Sequence, residues 1–282
     1  MMQQITLGRI AAYAAMILVA LVILAPLGWM VVMSVTPTVQ LTSVPLRWIP
    51  ETLDFSRYER LLSLEHNSDG EVFLYALRNT CWVAAGTTVI AFVLSVPAAW
   101  AFSRIGGRTK WVLYLIVGTY MLPPLMFVVP LYRILAALSL LNSPWALMVA
   151  DSTIVLPFTT WLLKSGIDNI PVEIEEAGAI DGASLFRTLW AITLPLARPL
   201  IGTTLLFSAL IVWDEFLYAI LFTSDSRAQT LTVVIANLAS GRVSDFGLLA
   251  TAGVIAAVPP VIVGLVLQRS IVAGLTSGSV KG

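Results

Sequence analysis

The chain has 282 residues, 58% of them hydrophobic and only 11% charged, where soluble domains run at roughly 45–50% apolar and about 25% charged. Sixteen Lys and Arg balance sixteen Asp and Glu, which excludes the strongly basic footprint of a nucleic-acid-binding protein. A single Cys (Cys81) and a single His (His66) exclude an internal disulfide, a cysteine metal cluster and every two-histidine metal motif, and no metal site is expected.

The apolar residues come in long runs, which predicts membrane-spanning helices rather than a barrel. Residues 10–35, 79–103, 111–132 and 246–268 carry no charge over 26, 25, 22 and 23 positions, each long enough to cross a bilayer core that needs ~20. Two weaker segments complete a six-span reading: 144–163, interrupted only by Asp151, and 199–223, interrupted by Asp214 and Glu215. The first run is far longer than the ~7–15 apolar residues of a signal peptide and is read as a span. The expected fold is an all-α integral membrane domain occupying residues 1–282, with both termini on one side.

Lys and Arg in the short loops set the orientation. The 104–110 loop holds Arg104, Arg108 and Lys110 and no acid, so it is placed in the cytoplasm. Arg9, Lys164, Arg187, Arg198, Arg269 and Lys281 then fall on the same side, and both termini are cytoplasmic. The 37–77 loop lies outside, with Arg47, Arg57 and Arg60 against six acids. At ~40 residues it forms a cap rather than a domain with its own core. In this placement the cytoplasmic side has nine basic and five acidic residues, and all five acids lie within 168–181.

Some residues inside the spans are candidates for a translocation path. Pro123, Pro124 and Pro130 remove helix hydrogen bonds from the third span and bend it. Irregular backbone at membrane depth is tolerated where it is buried or lines a cavity, so this stretch reads as a pore wall or as a bent packing helix. Tyr120, Phe127, Trp213 and Tyr218 have ring faces on which a solute can stack, and they equally suit a core. Asp214 and Glu215 are functional candidates by default, because ionisable groups in a membrane are costly. Asp151 is open between a solvated and a buried position. His66 is read as a solvated loop residue and Cys81 as a buried small hydrophobe.

The most informative stretch is residues 164–198. Pro171 suits a first helical turn, and Glu173, Glu175 and Glu176 follow where the helix dipole favours acids. Asp181-Gly182 is a turn signal. A second helix from Ser184 pairs Leu185 with Leu189 and Phe186 with Trp190 at i, i+4, and ends before Pro195. Interfacial lipid-binding helices are rich in Lys and Arg, whereas this segment opens on three glutamates, so a protein partner is the favoured occupant.

The order Glu176-Ala177-Gly178, then Gly182 after three residues, then Ile192 and Leu194-Pro195, resembles the EAA loop in membrane subunits of ABC importers. That family usually has Ala at the position of Gly178. The stretch Trp213–Ala219 and the C-terminal Gly274–Gly282 are similar to the carbohydrate-uptake branch, which commonly has Asn where this chain has Asp214, and that resemblance implies that Asp214 and Glu215 are a packing or gating element near the translocation path. The six-span plan is similar to that of the shorter membrane subunit of maltose-type transporters.

The resemblance implies a type I ABC importer fold. It also implies that the 164–198 loop docks on a separate ATPase through Glu175, Glu176, Ala177, Gly178, Asp181, Gly182, Ala183, Phe186, Leu189, Trp190 and Pro195. The tail residues Ser277, Gly278, Lys281 and Gly282 are implied to touch the ATPase pair. Implied partners are a second, homologous permease chain forming a heterodimer, two ABC ATPase subunits and an extracytoplasmic solute-binding protein. The implied site of action is a bacterial or archaeal cytoplasmic membrane. ATP and Mg would be held by the partner, since this chain has no G-x-x-x-x-G-K-[ST] loop and carries no cofactor of its own. The implied function is import of a sugar or sugar derivative by alternating access. The alternative is import of a non-sugar solute such as a phosphate ester or polyamine. An intramembrane enzyme would need a catalytic constellation that the sequence lacks.

Overall fold

A computed structural model describes residues 4–45, 48–66, 68–105, 107, 109–240 and 245–277. Helices are the regular elements among them, in the order α1 (Gln4–Val35), α2 (Thr38–Leu41), α3 (Ser56–Leu61), α4 (Asp69–Arg104), α5 (Thr109–Tyr120), α6 (Leu125–Ala137), α7 (Pro144–Ile167), α8 (Val172–Ile180) and α9 (Leu185–Arg187). A π-helical turn, Thr188–Thr193, leads into α10 (Leu194–Leu196), followed by α11 (Arg198–Trp213), α12 (Leu217–Phe222), α13 (Leu231–Ala239) and α14 (Phe246–Ser277). Among the described residues, four helices are long and apolar enough to span a bilayer, or up to six spans when each sharply bent pair counts as one.

Two compact units make up the chain: Met1–Leu74 with Ile235–Val258, and Tyr75–Val234 with Pro259–Gly282. In the first, the most apolar stretch of α1 buries none of its residues within the chain. The loop after α1 is tied down by Arg57, which is 4% exposed. Arg57 donates from Nη1 to the Thr36 carbonyl (2.7 Å) and from Nη2 to Thr38 Oγ1 (2.7 Å), and it lies 3.4 Å from Asp245. Asp245 in turn accepts from the backbone N–H groups of Gly247 and Leu248, satisfying donors that the start of α14 leaves open.

Among the described residues, the second unit holds two apolar cores. One gathers Val83, Ala91, Leu135, Leu147, Val155, Tyr218 and Phe222. The other gathers Val96, Ala99, Leu163, Ile167, Leu189 and Leu194. Helix α7 starts cleanly because the Ser143 side chain accepts from Ala146 N–H and Pro144 occupies the first turn.

The third span is broken. The axes of the segments on either side of residues 121–124 differ by 99°, and the break falls on Pro123-Pro124, which cannot continue the hydrogen-bond ladder. The segment 199–223, predicted as one helix, is also interrupted. Helix α11 stops at Trp213, and Glu215 folds back so that its carboxylate accepts from Tyr218 N–H (2.7 Å) and Ala219 N–H (3.0 Å). The Glu215 carbonyl takes a further bond from Thr232 Oγ1 at 2.7 Å, so its backbone is satisfied outside any helix.

Candidate coupling site

Helix α8 begins after Pro171, whose backbone is extended (φ −55°, ψ 130°), and ends at Asp181. The chain turns at Gly182 with φ +83°, a left-handed conformation that glycine adopts without a Cβ clash. Ser184 then caps the next segment by accepting from Arg187 N–H (3.3 Å). Gly178 sits where a Cβ would lie 2.3 Å from Ile192 Cδ1, so its lack of a side chain brings α8 close to the π turn.

That neighbour is the far end of a flexible side chain, so an alanine at 178 needs only a rotation of Ile192. Replacing glycine within a helix also recovers up to ~1 kcal/mol of propensity. Gly178→Ala is therefore expected to match or exceed the thermal stability of the parent, whereas Gly178→Leu overpacks the contact and costs ~1–3 kcal/mol. Thermal unfolding of the purified chain measures both.

The joint holding α8 is an ion pair that the sequence analysis did not identify. Arg104, the last residue of α4, grips Glu175 with both arms: Nε to Oε2 at 3.0 Å and Nη2 to Oε1 at 2.9 Å. The two side chains are 12% and 7% exposed. Trp100 Nε1 donates to Oε2 at 3.2 Å, and Thr193 Oγ1 to Oε1 at 2.8 Å. Arg104 Nη2 also donates to the carbonyls of Ile167 (3.2 Å) and Ile170 (3.1 Å), where α7 runs out of helical partners. Nearby, Ser103 Oγ donates to Asp168 Oδ1 (2.6 Å), and Lys164 pairs with Asp168 one turn away. Removing one member of such a buried pair leaves an uncompensated charge and costs ~3–5 kcal/mol. A signal was available in sequence: Trp100 and Arg104 stand at i, i+4 on one helix face.

Burial by itself pushes the Glu175 carboxyl upward, but Arg104, Thr193 and Trp100 stabilise the charged form more strongly and hold it below its ordinary value. The sign follows. A carboxyl depressed on folding contributes stability above its unfolded pKa and loses it as the pH falls through the folded one. Protection of the α8 amides from hydrogen exchange should therefore hold from neutral pH into the ordinary carboxylate range and fall only below it. Loss of protection close to neutral pH would contradict the assignment.

The remaining loop residues divide into an outer and an inner face. Ile180, Leu185 and Phe186 are 87%, 74% and 72% exposed, and Trp190 is 43% exposed with its ring 5.8 Å from that of Phe186. Glu173, Glu176, Ala177 and Asp181 are exposed too, while Ala183 and Pro195 are half-buried. Two predicted docking residues face inward. Glu175 is bound to Arg104, and Leu189, 5% exposed, belongs to the core with Val96 and Leu163. Leu189 lies within the π turn Thr188–Thr193 and faces the core, although the i, i+4 spacing pairs it with the exposed Leu185. Of the tail residues, Ser277 ends α14, while Gly278, Lys281 and Gly282 lie outside the described residues, as do Arg47 and Arg108.

Of the predicted path residues, Pro124, Glu215 and Tyr218 are linked by hydrogen bonds, while Phe127 and Trp213 line separate cavities. Phe127 lines a cavity of about 500 Å³ with Thr119, Ser152, Thr153 and Thr160. Tyr120 and the exposed prolines Pro123 and Pro124 lie at the span break, with Tyr120 6.1 Å from Phe158. Trp213 lines a separate space of about 210 Å³ with Ala84, Ala209, Pro259 and Pro260. Asp214 is exposed and Glu215 is consumed by capping. Tyr218 is fully buried, stacked on Phe222 at 5.4 Å, and donates to the Pro124 carbonyl at 3.4 Å. Asp151 is buried, 2% exposed. Cys81, expected inside, is exposed. No group of three or more metal-ligating side chains occurs among the described residues.

Residues 91–277 match the family described as binding-protein-dependent transport system inner membrane component. The chain belongs to this family. A trehalose/maltose transport system permease protein, MalG, of Thermococcus litoralis is 34% identical over 285 aligned positions that cover 100% of both chains. A trehalose transport system permease protein, SugB, of Mycobacterium tuberculosis is 32% identical, covering 92% of this chain and 93% of that one. The fold is also that of a chain in the crystal structure of a bacterial ABC transporter involved in the import of the acidic polysaccharide alginate. The TM-score is 0.78 at 22% identity, over 95% of this chain and 98% of that chain. The chain is therefore a membrane component with the type I importer fold, and the family is one of transport subunits rather than enzymes.

Proposed function

We propose that this chain is one of two permease subunits of an ATP-driven ABC importer that carries a sugar or sugar derivative across the cytoplasmic membrane. The observation that supports the substrate class most is the whole-length similarity to a relative named for trehalose/maltose transport. Its partners are a homologous permease chain, two ABC ATPases that bind ATP and Mg, and an extracytoplasmic solute-binding protein. The termini and the 164–198 loop face the cytoplasm, as the positive-inside distribution argues.

The loop is the contact with the ATPase. Ile180, Leu185, Phe186 and Trp190 expose apolar surface, and Glu173, Glu176 and Asp181 expose acids in the same loop, which suits a groove with basic edges. Closure of the ATPase pair on ATP moves this loop, and the spans attached to it open the path to one side and then the other.

Deleting residues 277–282 should lower substrate-stimulated ATP hydrolysis by the assembled complex, because the tail completes the ATPase contact. Unchanged hydrolysis and uptake would remove the tail from that contact. The substrate class is tested by ATP hydrolysis of the reconstituted complex, screened over sugars, amino acids, polyamines and phosphate esters with the cognate binding protein. Stimulation by a sugar supports the reading, and stimulation by another class alone replaces it.

A further inference from the structure

We propose that Arg104 is a positioning residue that fastens the coupling loop to the second span, so that movement of α8 reaches three spans instead of two. This rests on the reading that the loop docks on an ATPase. Covalently, α8 is connected to α7 through residues 168–171 and to α11 through residues 181–197. Nothing in the chain path connects it to α4. Two α4 side chains supply that connection: the Trp100 indole donates to Glu175 of α8, and the Arg104 fork holds the same carboxylate while its Nη2 also holds the carbonyls of Ile167 and Ile170.

Two further bonds make the joint stiff. Thr193 donates to the same carboxylate from the π turn, tying the second half of the loop to the first. Ser103 bonds Asp168, fixing the neighbouring residue of α4 to the end of α7. A bidentate guanidinium–carboxylate pair fixes orientation as well as distance, so a tilt of α8 is passed to α4 rather than absorbed. The acids divide their work accordingly. Glu173, Glu176 and Asp181 are exposed and free to meet a partner, whereas Glu175 acts inside the chain.

The test uses the complete transporter in proteoliposomes and reads two quantities, the ATPase retained on purification and the solute imported per ATP hydrolysed. Arg104→Gln should keep the ATPase bound and hydrolysing while import per ATP falls about tenfold, since the neutral side chain lacks the fork. Arg104→Lys restores the charge without the fork and should recover less than half of the loss. Unchanged import per ATP in Arg104→Gln would overturn the proposal, and so would loss of the ATPase, which would make the residue a scaffold for docking only.

Should Arg104→Gln fail to insert, Thr193→Val and Trp100→Phe each remove one bond to Glu175 and keep the ion pair. Import per ATP should then drop by about two- to threefold, the scale of one lost hydrogen bond, and an unchanged ratio overturns the proposal. The docking reading fails separately: full ATPase retention by a Phe186→Asp chain would contradict it whatever Arg104 does.

Discussion

Replacing Gly182 with tryptophan is expected to abolish ATP-driven import while the chain still inserts at the parental level. The turn at 182 has φ +83°, and a Cβ there would have nothing within 4 Å, so a side chain meets strain but no internal clash. That strain is ~1–2 kcal/mol, small against what holds a helical membrane domain together. Tryptophan would instead project from the tip between α8 and α9, where the proposed partner must approach. Membrane yield and thermal stability report the first part, and ATPase co-purification with uptake reports the second. Normal co-purification with normal uptake would show that no partner approaches the turn closely.

The second large effect concerns the apolar face. Phe186→Asp is expected to release most of the ATPase on purification, at least a tenfold loss of affinity. Burying a phenylalanine side chain is worth about 1.5–3 kcal/mol, and the substitution also sets a carboxylate in a groove that excludes water. Leu189→Asp should fail differently. Leu189 packs against Val96 and Leu163, so a charge there destabilises the chain itself and lowers its membrane yield. Comparing the two variants separates the outer face of the loop from its inner face.

Much of the architecture was legible because a bilayer permits few solutions. Backbone polar groups must be satisfied within the segment, so long uncharged runs are helices. The bend near residue 122 was announced by Pro123-Pro124, whose chemistry is local. The break after Trp213 was not, since no proline or glycine marks it. It depends on Glu215 capping α12 and on Thr232, 17 residues further along, reaching back to its carbonyl.

The loop shows the same division. Its turn at Gly182 and its exposed Phe186–Trp190 pair follow from spacing. The inward position of Leu189 does not follow from its i, i+4 spacing to the exposed Leu185, but from its packing with Val96 and Leu163, which are distant in sequence. In sequence Arg104 is one of several cytoplasmic cations: its partner Glu175 lies 71 positions away, and only the packing of α4 beside α7 and α8 brings them together. Cys81 illustrates the limit of composition. A small hydrophobe is buried in most proteins, but a span exposes such residues to lipid or to a neighbouring chain.

The central claim is that this chain imports a sugar using ATP hydrolysed by another subunit. It is tested most directly by uptake of labelled sugars into proteoliposomes holding both permease chains and the ATPase, with the binding protein outside and ATP inside. The account predicts uptake that requires ATP and the binding protein and survives collapse of ion gradients. Uptake that proceeds without ATP, or ATP-dependent uptake of a non-sugar solute with none of any sugar, would contradict it.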